Sequence, residues 1–284
     1  FEMKLLNVSY SDLFGGAAKS SFRIHKCINN FNKTNIESKM IVIKKLSKDK
    51  KVFKISGKLN AFMFKIKNYI GMMFGKFDNS ENPKSYNFFN SPVLNYINNS
   101  ECDVVNLHWI NAETLSIDDV NKIKKPFVIT MHDMWWICST ENYLPLNDKK
   151  WITGYKNSNF ISKYFWNKKR KLKPKGIICP SSWLLKCVKK SYLMKNKKTI
   201  HIPYPVNRKI FYPQKVNQLS KLNIFKNKKV KIFFSVFGDP KDHRKGIDLL
   251  IKSLEQLDPN SFELIVASNN FLKDNLKFKT ISLS

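Results

Sequence analysis

Two histidines and a cluster of tryptophans occupy positions from which side chains could do chemistry. His108-Trp109 and the segment 132–136 (His-Asp-Met-Trp-Trp) each follow a short apolar run. Aromatic rings stack on the apolar faces of sugars, while His and Asp side chains bond hydroxyl groups. Together, at matching positions, these residues indicate a sugar-binding site. Either histidine alone would more simply be structural. A metal site is not expected, because no third ligand stands at a useful spacing.

A second set of residues is suited to binding an anion. Gly15-Gly16 opens a helical pattern, where small residues let an anion reach free N–H groups and the positive end of the helix dipole. Arg244-Lys245 also precedes a helical pattern, and cations there oppose the dipole unless an anionic ligand is bound. The simpler interpretation of Gly15-Gly16 is a plain turn, and that of Arg244-Lys245 is a solvated basic turn. The Gly pair is not a GxGxxG motif, which disfavours a nicotinamide-dependent dehydrogenase.

Alternating strand and helix patterns must position these groups. Apolar runs predict strands, and helical spacing predicts the helices between them. The predicted strands are residues 4–9, 40–43, 103–108, 126–131, 176–179 and 199–202. The predicted helices are residues 17–31, 59–74, 115–123 and 160–172, with another from residue 183. Residues 135–158 are predicted to form a long functional loop. Such alternation predicts a parallel sheet with helices on both faces, whose ligands bind beyond the carboxyl ends of the strands.

A Pro-rich segment, with Pro203, Pro205 and Pro213, marks a domain boundary. Beyond it the alternation restarts, with a strand at 230–235, a helix at 246–257 and a strand at 262–267. We therefore predict an α/β protein with a complete Rossmann-like domain over residues 1–205 and part of a second over residues 206–284.

The charge of the chain is strongly positive. Lys and Arg number 51 against 21 Asp and Glu, a formal net charge of +30, but only four of the basic residues are arginines. A joint excess of Lys and Asn favours compositional drift and solvated lysine faces. If the charge is functional, an anionic membrane suits it better than nucleic acid, because no base-reading motif is present. The surfaces expected to contact such a membrane are residues 168–170 and the lysines of the 59–74 helix. Five scattered cysteines indicate a reducing compartment, and hence a cytoplasmic protein, peripheral on the inner membrane face if the basic surface is used.

The motifs GGAA, NLHWI, THDMWW, PSSWLL, IPYPVN and RKGIDLLIKSL, in this order, resemble those of the family 4 glycosyltransferases. The similarity extends over nearly the whole chain and is strongest to bacterial enzymes that build surface polysaccharides, such as O-antigen, capsule and exopolysaccharide. It implies the GT-B fold, in which two Rossmann-like domains bind the acceptor on the first and the nucleotide sugar on the second.

The resemblance also implies an activity and residue roles. A sugar would move with retention of configuration from a UDP- or GDP-sugar to a glycan or lipid-linked acceptor, without metal or other cofactor. His132 would lie at the reaction centre. Gly15, Gly16, Arg244 and Lys245 would contact the donor diphosphate. The residues expected to line the acceptor pocket are His108, Trp109, Asp133 and Trp135.

Several positions depart from the family pattern. IPNGVD is IPYPVN here, with Asn207 in place of Asp, and residues 137–142 replace a TGGCHY-like run. An arginine expected shortly before RKG has no match, and the chain ends at Ser284 without the acidic ExxxxxxxE segment. The chain as given is therefore expected to have little transferase activity. The alternative is a non-catalytic fragment that acts as a binding or scaffold domain.

Overall fold

The computed structural model describes residues 2–31, 35–55, 58–77, 83–145, 147–213, 229–236, 242–268 and 276–283. The chain divides into two compact units, Phe1–Asn207 and Arg208–Ser284.

The first unit is built on a seven-stranded sheet whose strands are all parallel, in the order β3-β2-β1-β4-β5-β6-β7. Its strands are β1 Met3–Ser11, β2 Ile36–Lys44, β3 Val52–Lys54, β4 Val104–Leu107, β5 Phe127–Thr130, β6 Gly176–Cys179 and β7 Thr199–His201. Every strand but β3 was predicted. Because β3 has only three residues, only one of them buried, it leaves almost no apolar run in the sequence.

Seven helices connect these strands within the described residues of the first unit. They are α1 Gly16–Asn30, α2 Lys58–Phe77, α3 Val93–Asn99, α4 Ile117–Asn121, α5 Lys150–Thr153, α6 Phe160–Lys169 and α7 Ser182–Lys190. Side-chain oxygens accept backbone N–H groups at the start of three of them, which fixes where each helix begins. These N-caps are Ser116, Asn159 and Ser181.

The core contains the sheet strands and, less expectedly, the segment that follows β5. Val8, Leu107 and Ile129 have no exposed surface, as apolar residues of a doubly covered parallel sheet should. Trp135 and Ile137 are equally buried, within the segment 135–158 that was predicted to form a long functional loop. The segment is irregular but packed, because its aromatic and aliphatic side chains fill the space beside α6.

Lys169 holds this segment in place. The α6 lysine is 1% exposed, and its ammonium donates to the carbonyls of Trp135 and Cys138 while lying 3.5 Å from the centre of the Trp135 ring. Burial lowers the pKa of Lys169 to about 7. The predicted basic membrane face at residues 168–170 is therefore wrong for its central residue, which points inward.

Replacing Lys169 with methionine is expected to lower the free energy of unfolding by about 2–4 kcal/mol. Methionine fills similar volume, so the loss comes from two buried carbonyls left without a donor. Lys168→Met is the matched control. Lys168 is partly exposed and pairs with Asp118 at 2.5 Å, an arrangement worth about 1 kcal/mol or less. Urea denaturation followed by circular dichroism measures both. Equal stability of the two variants would contradict the role given to Lys169.

The second unit contains a three-stranded parallel sheet in the order β10-β9-β8. Its elements are β8 Val230–Ser235, a 3-10 turn His243–Lys245, α8 Ile247–Leu254, β9 Phe262–Ala267 and β10 Thr280–Leu283. Glu263 on the central strand is buried and paired with Lys231 at 2.6 Å and Lys279 at 2.7 Å. The predicted helix at 246–257 is shorter than expected, and β10 was not predicted.

Candidate functional site

The candidate site lies where three adjacent strands end. β1, β4 and β5 are neighbours in a parallel sheet, so their carboxyl ends share one edge. Gly15 follows β1, His108 follows β4 directly, and His132 follows β5. The strand order reverses between β1 and β4, and ligands of such sheets bind in the crevice at that reversal.

Four side chains form a continuous hydrogen-bonded series at this edge, the histidine relay. The Tyr204 hydroxyl lies 2.6 Å from His132 Nδ1. His132 Nε2 lies 3.0 Å from His108 Nδ1, and His108 Nε2 lies 2.8 Å from Asn7 Oδ1. The relay thus leads from half-buried Tyr204 into the middle of the sheet.

The hydrogen positions in the relay follow from its inner end. Asn7 Oδ1 can only accept, and it already accepts from Asn106 Nδ2 at 3.2 Å, so His108 Nε2 must carry a hydrogen. In a neutral His108 ring, Nδ1 then accepts from His132 Nε2–H. His132 Nδ1 is left as an acceptor, and Tyr204 donates to it. Each imidazole is fixed in its Nε2–H tautomer by its neighbour.

The inner end of the relay rests on a polar row that crosses four strands. Asn7 Nδ2 donates to Ser38 Oγ on β2 at 2.8 Å, and Thr130 Oγ1 on β5 donates to Asn106 Oδ1 at 2.8 Å. Beyond Ser38, His25 Nδ1 lies 2.9 Å from the same hydroxyl. Buried polar groups linked in this way have their hydrogen-bonding capacity largely satisfied, which holds the relay rigidly.

Burial keeps the histidines of this network neutral. It lowers the pKa of His132 to about 3 and that of His25 to about 4, and it lowers the pKa of His108, with further repulsion from His132. Burial, with Asp133 nearby, raises the pKa of Tyr204. At neutral pH the relay therefore carries no charge. It can orient a hydroxyl group, or pass a proton in a concerted step, without either imidazole becoming charged.

Asp133 connects the turn after β5 to the end of β4. Its Oδ1 accepts from the backbone N–H of Trp135 at 3.0 Å, and its Oδ2 accepts from Trp109 Nε1 at 3.1 Å. The Trp109 ring also meets the edge of Tyr10, with ring centres 6.1 Å apart. Trp109 is partly exposed and so can face a ligand.

Three of the four residues expected to line an acceptor pocket are largely covered by protein, and Asp133 is one of them at 7% exposed. His108 has no exposed surface and both of its ring nitrogens are bonded. Trp135 is 1% exposed and donates its indole N–H to the carbonyl of Ser85. His108 therefore holds His132 from the buried side, and Trp135 ties the segment after β5 to Ser85.

The start of α1 offers space and free backbone donors. Gly15 adopts a φ of 91°, a conformation that favours glycine, and a Cβ atom at Gly15 or Gly16 would have no neighbour within 4 Å. The first turn carries no acidic side chain, and no side chain caps it. A diphosphate could therefore approach the helix end closely.

Arg244 and Lys245 precede helix α8, as predicted, and lie in the 3-10 turn His243–Lys245. The guanidinium of Arg244 donates from Nε and Nη2 to the carboxylate of Asp242, at 2.9 and 2.6 Å. This bond lowers the pKa of Asp242. The pair fixes the direction of the arginine side chain, and Lys245 is exposed.

Sequence reasoning missed Asn7, Asn106 and Tyr204. A signal for the first two existed, since each is a lone amide inside an apolar strand (LLNVS and VVNLH). Tyr204 was noticed only as a departure from IPNGVD. Among the described residues, no group of three or more His, Cys, Asp or Glu side chains could hold a metal ion.

No protein-family model matches the chain, and no curated protein is significantly similar in sequence. Its structure is similar to that of sucrose-phosphate synthase from Thermosynechococcus elongatus, with a TM-score of 0.58 and 11% identity over 96% of this chain and 64% of that one. It is also similar to Anabaena HepE in complex with UDP-glucose, with a TM-score of 0.54 and 13% identity over 99% of this chain and 69% of that one. The chain thus spans less than two thirds of the synthase. Over the part it covers, it has the GT-B fold of these glycosyltransferases.

Proposed function

We propose that this protein is a glycosyltransferase that moves a sugar from a nucleotide-diphosphate donor to a glycan or lipid-linked acceptor. The observation that carries the proposal is the neutral, tautomer-fixed relay ending at His132 and Tyr204, at the strand-order reversal of a GT-B sheet. HepE, which has this fold, was solved with UDP-glucose, which supports a nucleotide sugar as co-substrate.

Departure of the nucleoside diphosphate is the demanding step, and positive charge held in advance would stabilise it. We assign this role to Arg244 and Lys245, together with the open α1 start at Gly15 and Gly16. The donor is a UDP- or GDP-sugar, and we propose retention of configuration. No metal or other cofactor enters this scheme.

His132 would position the donor sugar. Both of its nitrogens are bonded, and the inner bond to His108 is buried, so a substrate can reach only the outer nitrogen, Nδ1. We propose that a sugar hydroxyl takes the place of the Tyr204 hydroxyl and donates to Nδ1. Tyr204 holds the imidazole in the correct tautomer until the donor arrives.

The acceptor would contact partly exposed Trp109, whose orientation Asp133 fixes. We propose that the reaction belongs to the synthesis of surface polysaccharide, including lipopolysaccharide. It would take place in the cytoplasm, on the inner face of the plasma membrane.

Replacing Arg244 and Lys245 together with alanine is expected to weaken binding of UDP- and GDP-sugars by about 100-fold, because two charge-assisted contacts to the diphosphate are lost. Isothermal titration calorimetry with the full-length protein measures the affinity. Lys252→Ala, which removes an exposed lysine from α8, is the control and should bind as the parent does.

A radiolabelled-sugar assay on the same protein then tests transfer. Donor binding with multiple turnover supports the proposal and overturns the expectation, drawn from the sequence, that the chain as given has little transferase activity. Absence of donor binding in the parent protein would refute it and favour the non-catalytic binding domain.

A further inference from the structure

The hydrogen positions in the histidine relay depend on how two buried side-chain amides are turned. Asn7 presents Oδ1 to His108 and Nδ2 to Ser38. Asn106 presents Nδ2 to Asn7 Oδ1. Rotating both amides by 180° would exchange donors and acceptors along the whole relay. His108 and His132 would then carry their hydrogens on Nδ1, and His132 would donate from this nitrogen instead of accepting.

The outer end of the relay is compatible with both directions. Tyr204 can donate to His132 Nδ1 at 2.6 Å, or it can accept from that nitrogen and donate to the carbonyl of Met131, 3.4 Å away. Thr130 can likewise donate to the Asn106 amide or accept from it. The direction is therefore determined at the inner end, beside β2.

His25 is the last ring at that inner end, and its surroundings fix its tautomer. The ring lies on α1 with no exposed surface, and its Nδ1 is 2.9 Å from Ser38 Oγ. Asn29 donates from Nδ2 to the carbonyl of Ser38 at 2.9 Å and accepts from the N–H of the same residue at 3.0 Å, so its amide cannot turn. The same Nδ2 lies 3.5 Å from His25 Nδ1, where an acceptor is favoured over a second N–H.

The other ring nitrogen of His25 faces a carboxylate. Nε2 is buried, has no hydrogen-bond partner among the described residues, and lies 4.0 Å from Asp49 Oδ2. Asp49 also pairs with Lys26 at 2.9 Å. The carboxylate would repel a lone pair on Nε2, whereas it attracts an N–H. Burial lowers the pKa of His25 to about 4, so at neutral pH the ring carries a single hydrogen, and both neighbours place it on Nε2.

This tautomer determines how Ser38 and then Asn7 are oriented. Because His25 Nδ1 accepts, the Ser38 hydroxyl donates to it, and the hydroxyl oxygen accepts from Asn7 Nδ2 at 2.8 Å. The carbonyl of Lys39, 3.5 Å from the same Nδ2, also opposes a turned amide. Asn7 Oδ1 is left to face His108, which must donate to it from Nε2.

We propose that His25 is a positioning residue, with its tautomer fixed by Asn29 and Asp49, and that it sets the direction of every hydrogen bond in the relay. Four hydrogen bonds separate it from His132. Through them it makes His132 Nδ1 an acceptor for a hydroxyl of the donor sugar, a consequence that rests on the proposed function.

Removal of His25 tests the proposal through the tautomers themselves. In His25→Leu the Ser38 hydroxyl loses its acceptor and regains one if the Asn7 amide turns. The amide should turn, because an unsatisfied buried hydroxyl costs more than the long contact to the Lys39 carbonyl contributes. Nitrogen-15 spectra of the imidazole rings in the full-length protein distinguish the two tautomers. We expect Nε2–H at both relay histidines of the parent and Nδ1–H at both in the variant.

The double variant His25→Leu, Ser38→Ala separates hydrogen-bond direction from packing. It lacks the hydroxyl that turns Asn7, so the Lys39 carbonyl again favours the original amide and the Nε2–H tautomers should return. A loss of packing alone would not be reversed by a second truncation in the core. His201→Asn, at an exposed site, is the control and should leave both relay tautomers unchanged.

The turnover number for sugar transfer gives a second readout. His25→Leu should lower it about tenfold, because the hydrogen bond that the sugar hydroxyl donates to His132 is lost, and the double variant should recover most of the loss. The tautomers are measured without donor or acceptor, so failure of this proposal and failure of sugar transfer can be told apart.

Two results would overturn the proposal. One is an Nδ1–H tautomer, or a mixture of tautomers, at His25, His108 or His132 of the parent, a measurement that does not depend on whether the variants fold. The other is an unchanged Nε2–H tautomer at His132 in His25→Leu, with circular dichroism confirming that this variant is folded.

Discussion

Replacing His132 with alanine is expected to lower the turnover number for sugar transfer by about 10²–10⁴-fold. The variant removes the group that would hold the donor sugar through Nδ1, and it leaves the Nδ1 of buried His108 without its donor. Tyr204→Phe should lower turnover less than about tenfold, because the sugar hydroxyl replaces the tyrosine at the moment of reaction.

The comparison between the two variants discriminates between mechanisms. If Tyr204→Phe is as damaging as His132→Ala, the tyrosine hydroxyl itself faces the substrate and ends a proton-transfer path. His201→Ala, at an exposed histidine, should leave turnover unchanged. Melting temperatures of all three variants separate a loss of catalysis from a loss of folding. A fully active, folded His132→Ala would refute the role of the relay.

Acid is expected to destabilise the first unit between about pH 6.5 and 4, because its buried histidines bind protons more weakly in the folded state than in the unfolded state. The folded-state pKa values of His25, about 4, and His132, about 3, lie below the unfolded value of 6.5. Between about pH 4 and 6.5 the unfolded chain therefore binds more protons, so stability rises with pH there and is lost as the pH falls. Each histidine contributes about 1.4 kcal/mol per pH unit, and His25 alone about 3 kcal/mol, a large part of a typical 5–15 kcal/mol.

Urea denaturation at a series of pH values gives the free energy of unfolding as a function of pH. The slope of that curve gives the number of protons taken up on unfolding. Between pH 6.5 and pH 4.5 we expect about two to three protons. His25→Asn should lower that number by about one, while His201→Asn at an exposed site should not change it. Uptake of less than one proton would show that the buried histidines are solvated in the native state.

The sheet could be predicted because its strands are buried on both faces and so appear as continuous apolar runs. β1, β4, β5 and β6 were found in this way, and the strand ends directed attention to His108 and His132. The GT-B fold was predicted from motif order. The structural similarity to two glycosyltransferases of this fold confirms it.

The contacts between distant segments could not be predicted. The sequence places Lys169 in a basic helical run, and nothing local shows that carbonyls after β5 will cover it. Tyr204 follows a proline and precedes another, which predicts a turn, but its partner His132 is determined by the order of strands β5, β6 and β7. Asp242, which directs Arg244, became visible only through side-chain geometry.

The relay also has a consequence for folding. The Tyr204–His132 bond joins residues 72 positions apart, and the His108–Asn7 bond joins residues 101 apart. Contacts of such long range form late, because the chain must first lose the entropy of large loops. The histidine tautomers can therefore be fixed only after β1 through β7 have assembled. The nitrogen-15 signals of the His108 and His132 rings should thus report complete closure of the domain, later than any signal from an individual helix.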